Sequence, residues 1–201
     1  MNDGTITLSH GDAVSGQLQL AKHFTAKFIH TGGKLTLRDH WRGSSLSIAV
    51  YGSSPGPTQG LYDLSGTGIV DTPAVYVGGD GIGELRQDGQ TSVSTDLLWL
   101  GHAVYGTGTY DLRGGRLDVT GLSVNQFGRS SRNAGYFVQS GGTAAFAGPV
   151  TLGHEGHGAC LLSGGEFSVA AGLTVGETGT GDFSVTGADP VIEIAQYVHG
   201  A

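Results

Sequence analysis

The densest group of chemically able side chains is Gly153-His154-Glu155-Gly156-His157-Gly158, two imidazoles and a carboxylate on a glycine-rich turn. These are ligand types for a divalent metal ion. The helical zinc-protease motif needs its histidines at i and i+4 on one helix face, whereas here they stand at i and i+3 on a turn. His102 falls at the position equivalent to His154 two repeats earlier. That places it about 10 Å away if each repeat adds one strand to a sheet, too far for one ion to bridge. Solvated turn residues are therefore the expectation, with no metal and no cofactor assigned. Among the other histidines, His30 alone falls on an inward position, where a hydrogen-bonded core imidazole is expected.

Carboxylates give a second arrangement. Asp63, Arg86 and Asp111 share one outward position on successive repeats. Two acids about 10 Å apart could suit inverting hydrolysis of a polysaccharide. Opposite charges on neighbouring strands also simply pair across a sheet, for about half a kcal/mol or less each. The column continues as Val138, Leu161 and Ser184, so no acidic cluster builds up. A charge ladder on a non-enzymatic chain is the expectation, with no catalytic residue assigned. Outward threonines (Thr7, Thr36, Thr120, Thr151, Thr174) do not form the unbroken two-column ladder that would suit ice. A binding edge is the remaining candidate. Residues 52–59, 102–107 and 126–134 all lengthen the same turn, and they bring Tyr105, Arg129 and Arg132 to one side of the chain. Insertions collected on one side of a repeat array serve as a binding face or as idle corners. Trp41, between Arg38 and Arg42 on a different corner, could stack on a sugar ring or cover the outside of a sheet.

What must position these residues is a repeat. Between residues 108 and 180 one pattern is written three times: an opening glycine, an alternating run, a Gly-Gly pair, a second run, then a third. Gly60, Gly83, Gly108, Gly135, Gly158 and Gly181 open successive copies at intervals of 23, 25, 27, 23 and 23 residues. A unit of that length with three short strands is one coil of a solenoid; a propeller blade would need roughly 40 residues. Alternation puts Phe28, Tyr62, Leu85, Tyr110, Phe137, Cys160 and Phe183 in one inward column. Leu64, Gln87, Leu112, Gln139, Leu162 and Val185 form the next. The second side receives Ile69, Leu117, Val119, Ala144, Phe146, Phe167 and Val169, with Thr91-Ser92-Val93 fitting poorly. The third receives pairs such as Val75 and Val77, Leu98 and Leu100, Leu122 and Val124, and Val150 and Leu152. Gly115, Gly142 and Gly165 stack as one corner. Gly78, Gly101, Gly153 and Gly176 stack as another, with Asn125 standing in for the glycine of its coil.

The fold expected is all-β, a right-handed single-stranded parallel β-helix of about 23 residues per three-strand coil and roughly seven coils. It forms a single domain over residues 1–201, with an incomplete coil at 1–25, coils over 26–187 and an incomplete final coil at 188–201. Strands are expected at Thr5-Ile6-Thr7-Leu8 and Gly16-Gln17-Leu18-Gln19-Leu20, as the last two sides of a coil whose first side is missing. Open terminal coils would expose strand edges suited to stacking on copies of the chain or on adjoining repeats of a longer one.

Composition narrows the function. Of 201 residues 38 are glycine and only 13% are charged, with a formal net charge of −7. A weakly acidic surface argues against nucleic acid, which needs a basic stripe. No apolar run is long enough to span a membrane as a helix. The single Cys160 cannot form an internal disulfide. The first residues lack the basic and apolar regions of a signal peptide, as in a cytosolic chain or the trimmed piece of a secreted one.

The unit Gly-x-(Tyr/Phe)-x-(Leu/Gln)-Ser-Gly-Gly-x-(Leu/Phe)-x-Val-x-x-x-Leu-x-Val-Gly resembles the β-strand repeats of large bacterial surface and secreted proteins. These include autotransporter passenger-like proteins and planctomycete repeat proteins of the PEP-CTERM sorting type. The resemblance covers about residues 26–195 and is clearest over 108–187. It implies export to the cell surface and a structural or adhesive role, and it carries over no catalytic residue, because the shared motif is all core and corner. The resemblance extends to the repeat alone: an export signal, a sorting tail and a translocator barrel are not expected within these 201 residues. A spacer, adhesin stalk or self-assembling fibre subunit is thus the expected function. The alternative is a β-helix that binds or cleaves carbohydrate, including surface glycans, along its looped edge.

Overall fold

The computed structural model describes residues 4–22, 24–38, 44–50, 58–187, 189–195 and 197–199; Trp41 and most of residues 52–59 lie outside them. Every element among the described residues is a strand. The strands wind into a parallel β-solenoid, and about seven turns carry the chain from the first rung to the eighth. One side is an eight-stranded sheet running from Gly4–Leu8 through Ala26–His30, Gln59–Leu64, Ile82–Gln87, Thr107–Leu112, Ala134–Gln139 and His157–Leu162 to Thr180–Val185. The second and third sides merge into one bent sheet of fourteen strands, because Ile69–Val77 and Ser92–Leu100 pass through the corner between them without a break. At that corner Thr72 and Thr95 turn inward, and each hydroxyl donates to the carbonyl two residues on, Ala74 and Leu97, at 3.1 Å. Seven steps of about 4.8 Å give a rod roughly 35 Å long.

Register follows the glycines. Gly60, Gly83, Gly108, Gly135, Gly158 and Gly181 lie directly over one another. Phe28, Tyr62, Leu85, Tyr110, Phe137, Cys160 and Phe183 therefore form a single column. All but Phe183, which is only partly covered, are buried. No single coil buries a core; like stacked on like does. At the corner between the first and second runs, Gly115, Gly142 and Gly165 hold φ of +77°, +68° and +82°. A Cβ at Gly142 would fall 2.6 Å from the Gly115 carbonyl oxygen, so both the dihedral and the close approach of stacked corners exclude other side chains. Tight approach alone explains Gly158, whose Cβ would meet the Phe127 oxygen and the Gly153 nitrogen at 2.1 and 2.2 Å.

Several expectations change. The first coil has all three sides: Gly4–Leu8 pairs with Ala26–His30 in the first sheet, Asp12–Ser15 is its second side, and Gln17–Leu20 its third. The last coil is likewise complete, with Thr180–Val185, Val191–Ile194 and Tyr197–His199 each paired to the rung before. On the second side Val70, not Ile69, points inward; Ile69 is 41% exposed, and Val70 aligns with Leu35 and Val93. Val93 thus fits the column after all and stacks on Leu117. On the third side Leu122 and Val124 are exposed, and Asn125–Phe127 is the strand. Asn125 is fully buried in that strand and not at a corner. The glycine of its coil is Gly128, with φ of +75°. Asn125 accepts the Leu98 N–H through Oδ1 at 2.9 Å and donates to the Pro149 carbonyl at 3.3 Å. The side chain thereby replaces ladder bonds that an apolar residue could not make.

Polar residues inside the tube follow a rule of their own. His30 lies in the column of Leu64, and Tyr62 stands one coil further along the neighbouring column. His30 Nε2 is 3.0 Å from the Gly33 carbonyl, so that nitrogen carries the proton. Its Nδ1 then accepts from the Tyr62 hydroxyl at 2.8 Å. Burial lowers the His30 pKa, against hydrogen bonds to the Gly33 and Gly32 backbone that raise it, and keeps the ring neutral. Gln87 and Tyr110 repeat the arrangement, with the Tyr110 hydroxyl donating to Gln87 Oε1 at 2.5 Å. Gln139 has Cys160 at the corresponding place, and its Oε1 is buried without a partner.

Candidate functional site

The corner that follows the third side collects the lengthened turns. Here the chain advances by one backbone bond per coil: Arg129 N–H to the Gly101 carbonyl, His154 N–H to Gly128, Glu177 N–H to Gly153. His102, Arg129, His154 and Glu177 consequently stand in one vertical column. The equivalence of His102 and His154 read from the sequence is real, but Arg129 occupies the rung between them. His154 Nδ1 lies 2.6 Å from Glu177, while His157 Nε2 faces Asp182 at 3.7 Å. The two histidines of the turn thus engage separate carboxylates, and no group of three ligating side chains converges among the described residues.

Beside this column the outward positions of the third side are aromatic. Tyr76 and Trp99 are register partners on adjacent strands with ring centroids 5.4 Å apart. His102 packs 5.1 Å from Tyr76 and 6.1 Å from Trp99. The Arg129 guanidinium lies over the Trp99 ring at 4.3 Å, a cation–π contact. Trp99 Nε1–H donates to the Val124 carbonyl at 3.1 Å, fixing the ring. Burial, then the nearby Arg129 charge, pushes His102 down to about 4 against the opposing influence of Asp80, so its imidazole is neutral at pH 7. Burial raises the Tyr76 phenol.

The two long turns are strapped together. Asn133, nearly buried, donates to the Ala103 carbonyl at 2.7 Å and accepts the Ser130 N–H at 3.2 Å. The strap sets Arg132 over the Tyr105 ring at 5.7 Å, donating to its hydroxyl at 3.0 Å. Tyr105, Arg129 and Arg132, expected at one edge, are thus brought together, and the sequence reading missed Tyr76 and Trp99 beside them. Their signal was present: a bulky aromatic at the same outward offset of two successive third strands.

The acidic column resolves into ion pairs. Asp63, Arg86 and Asp111 are register partners, yet Arg86 bonds Glu84 at 2.7 Å and reaches Asp111 only at 3.9 Å. Asp111 is held by Arg113 at 2.6 Å and Asp63 by Lys27 at 3.2 Å. The carboxylates serve as counter-charges along a flat sheet, with a net contribution of about 1 kcal/mol or less per pair. A further concavity, an open groove of about 500 Å³, lies where the second side turns into the third, lined by Arg38, Asp71, Pro73, Ser94 and Asp96. Burial would raise the Asp71 carboxyl, but hydrogen bonds from Lys34 and Arg38 together outweigh it and hold the group below its usual value. Asp96 accepts the Thr120 hydroxyl at 2.8 Å. Both acids of the groove are thus already engaged. Comparisons with protein-family models, with curated proteins and with solved structures find no match to this chain.

Proposed function

We propose that the protein is a non-enzymatic structural β-solenoid, a spacer or stalk segment that extends by stacking like coils end to end. The observation that supports this most is the unbroken pair of inward columns through all eight rungs of the first sheet. A tube of that regularity is suited to holding length and direction, and its outer faces carry paired charges. At the two ends the same columns are uncovered: Ile6 is 52% and Val185 46% exposed. Among the described residues Gly4–Leu8 and Thr180–Val185 are the edge strands of the first sheet, and another coil of the same kind would pair with them. The repeat's resemblance to bacterial surface proteins supports placement outside the cell.

Sedimentation velocity across a hundredfold concentration range, with negative-stain microscopy, tests the assembly. End-to-end stacking predicts rods in multiples of roughly 35 Å that shorten when Ile6→Lys charges one end face. A strictly monomeric species at every concentration would reject stacking between copies. Fractionation of the native source, probed with an antibody, tests placement, and recovery with cytosolic markers would remove it.

A further inference from the structure

We infer that the looped corner is a lateral binding edge for an acidic polysaccharide, one whose sugar rings carry carboxylates, with Arg129 and Arg132 as the anion-binding groups. Among the described residues, Lys27, Lys34, Arg38, Arg86, Arg113 and Arg116 each lie against a carboxylate. Arg129 and Arg132 do not: one rests on Trp99, the other on Tyr105. In a chain of net charge −7, these are two guanidinium groups on one turn that no carboxylate pairs directly, although Asp80 acts on the His102 imidazole beside Arg129. Glu177, the acid in the same column, is already taken up by His154.

The aromatic rings make the cations useful for recognition. Stacked on Trp99, the Arg129 guanidinium keeps its planar edge free for two parallel hydrogen bonds to a carboxylate, while Arg132 spends one N–H group on the Tyr105 hydroxyl and keeps the others. Stacking and the Asn133 strap hold both in place, so less side-chain entropy is lost on binding. Tyr105, 65% exposed, offers a face to the apolar side of a sugar ring. The aromatic and cationic groups follow one another from rung to rung along the axis, an arrangement that suits an extended polymer better than a small anion. One carboxylate per ring also suits it better than a densely sulfated or phosphorylated chain, which the acidic remainder of the surface would repel. This inference is independent of end-to-end stacking, since the edge is lateral.

Affinity electrophoresis of the full chain in gels containing polygalacturonate tests it. Retardation is expected, with none in neutral dextran. The double variant Arg129→Gln, Arg132→Gln should weaken the apparent affinity about tenfold or more. Arg116→Gln, a single charge change on another side, should leave it within about twofold. Far-ultraviolet circular dichroism of both proteins keeps a folding defect from counting as lost binding. The inference is overturned if polygalacturonate gives no retardation, if the folded double variant is retarded like the parent, or if Arg116→Gln loses as much. Equal retardation by dextran sulfate, or by single-stranded DNA, would overturn the assignment to a carboxylated sugar and leave a general anion patch.

Discussion

Gln87 and Gln139 occupy the same inward column two rungs apart, with Leu112 between them, and their replacement by leucine is expected to have unequal consequences. Gln87 accepts the Tyr110 hydroxyl and donates to the Arg116 carbonyl at 3.0 Å. Gln87→Leu would strand a fully buried phenol and deprive that carbonyl of a donor. An unsatisfied buried group costs about 1–3 kcal/mol, and an added apolar contact returns roughly 1, so the net loss is about 2 kcal/mol. Gln139 donates to Glu166 and Gly142 carbonyls at 2.9 and 3.2 Å, and the Gly142 carbonyl also accepts the Glu166 N–H. Its Oε1, however, faces no donor. Gln139→Leu removes that orphan along with the two bonds, so the terms nearly cancel and the change should stay within about 1 kcal/mol of zero. With a urea slope of about 2 kcal/mol/M the two midpoints should differ by roughly 1 M. The slopes must be compared first, because an array of coils can unfold in stages. Equal midpoints at unchanged slope, or a larger loss for Gln139→Leu, would refute the hydrogen-bond reasoning.

Stability should fall in mild acid. His102 titrates near 4 in the fold against 6.5 when unfolded, so the unfolded chain takes up the proton first. Its contribution is complete above about pH 6.5 and is lost as pH falls toward 4, with about 2 kcal/mol gone by pH 5. His30, also lowered by burial, acts in the same direction. Urea midpoints measured at pH 7 and pH 5 check this, and a flat profile would contradict it. Cys160 is buried and its thiol pKa is pushed far up by desolvation, so Ellman-type reagents should label it in urea but not in buffer. Gly158→Ala must force its Cβ against two backbone atoms and should cost about 3 kcal/mol by urea melt, whereas Gly4→Ala, with open space around it, should cost under about 0.5. Ala49 holds φ of +54° at the place where later coils have glycine. Ala49→Gly should therefore be close to neutral by the same assay, because relief of the backbone, about 1–2 kcal/mol, offsets lost burial and added chain entropy.

The first side was legible because from Gly60 onward its glycines recur where stacked backbone and side chains crowd out a Cβ, which locks the phase of every column around it. Errors fell where phase depends on one residue among several apolar ones. Leu122 and Val124 alternate as well as any strand. The corner before Asn125–Phe127 is nevertheless longer than those before Val150–Leu152 and Leu173–Val175, and a buried asparagine took the inward place through hydrogen bonds that periodicity cannot register. Asp12–Ser15 was missed because it offers almost no buried apolar side chain; pairing to Lys34–Leu37 alone defines it. At the edge, turn lengths pointed to Tyr105, Arg129 and Arg132. Tyr76 and Trp99 stayed hidden because their importance arises only once adjacent coils are laid side by side. The Asn133 strap depends on the same stacking.

Hydrogen bonds between rungs lie along the rod, while the covalent chain runs around it, so a pull on the two ends loads the weakest ring first. The outermost coil should peel away alone, paying out about 23 residues, or roughly 80 Å of slack, while the coils beneath keep their pairing. Force–extension traces of such a tube should read as a staircase, and a stalk built this way would lengthen under tension in steps before it failed.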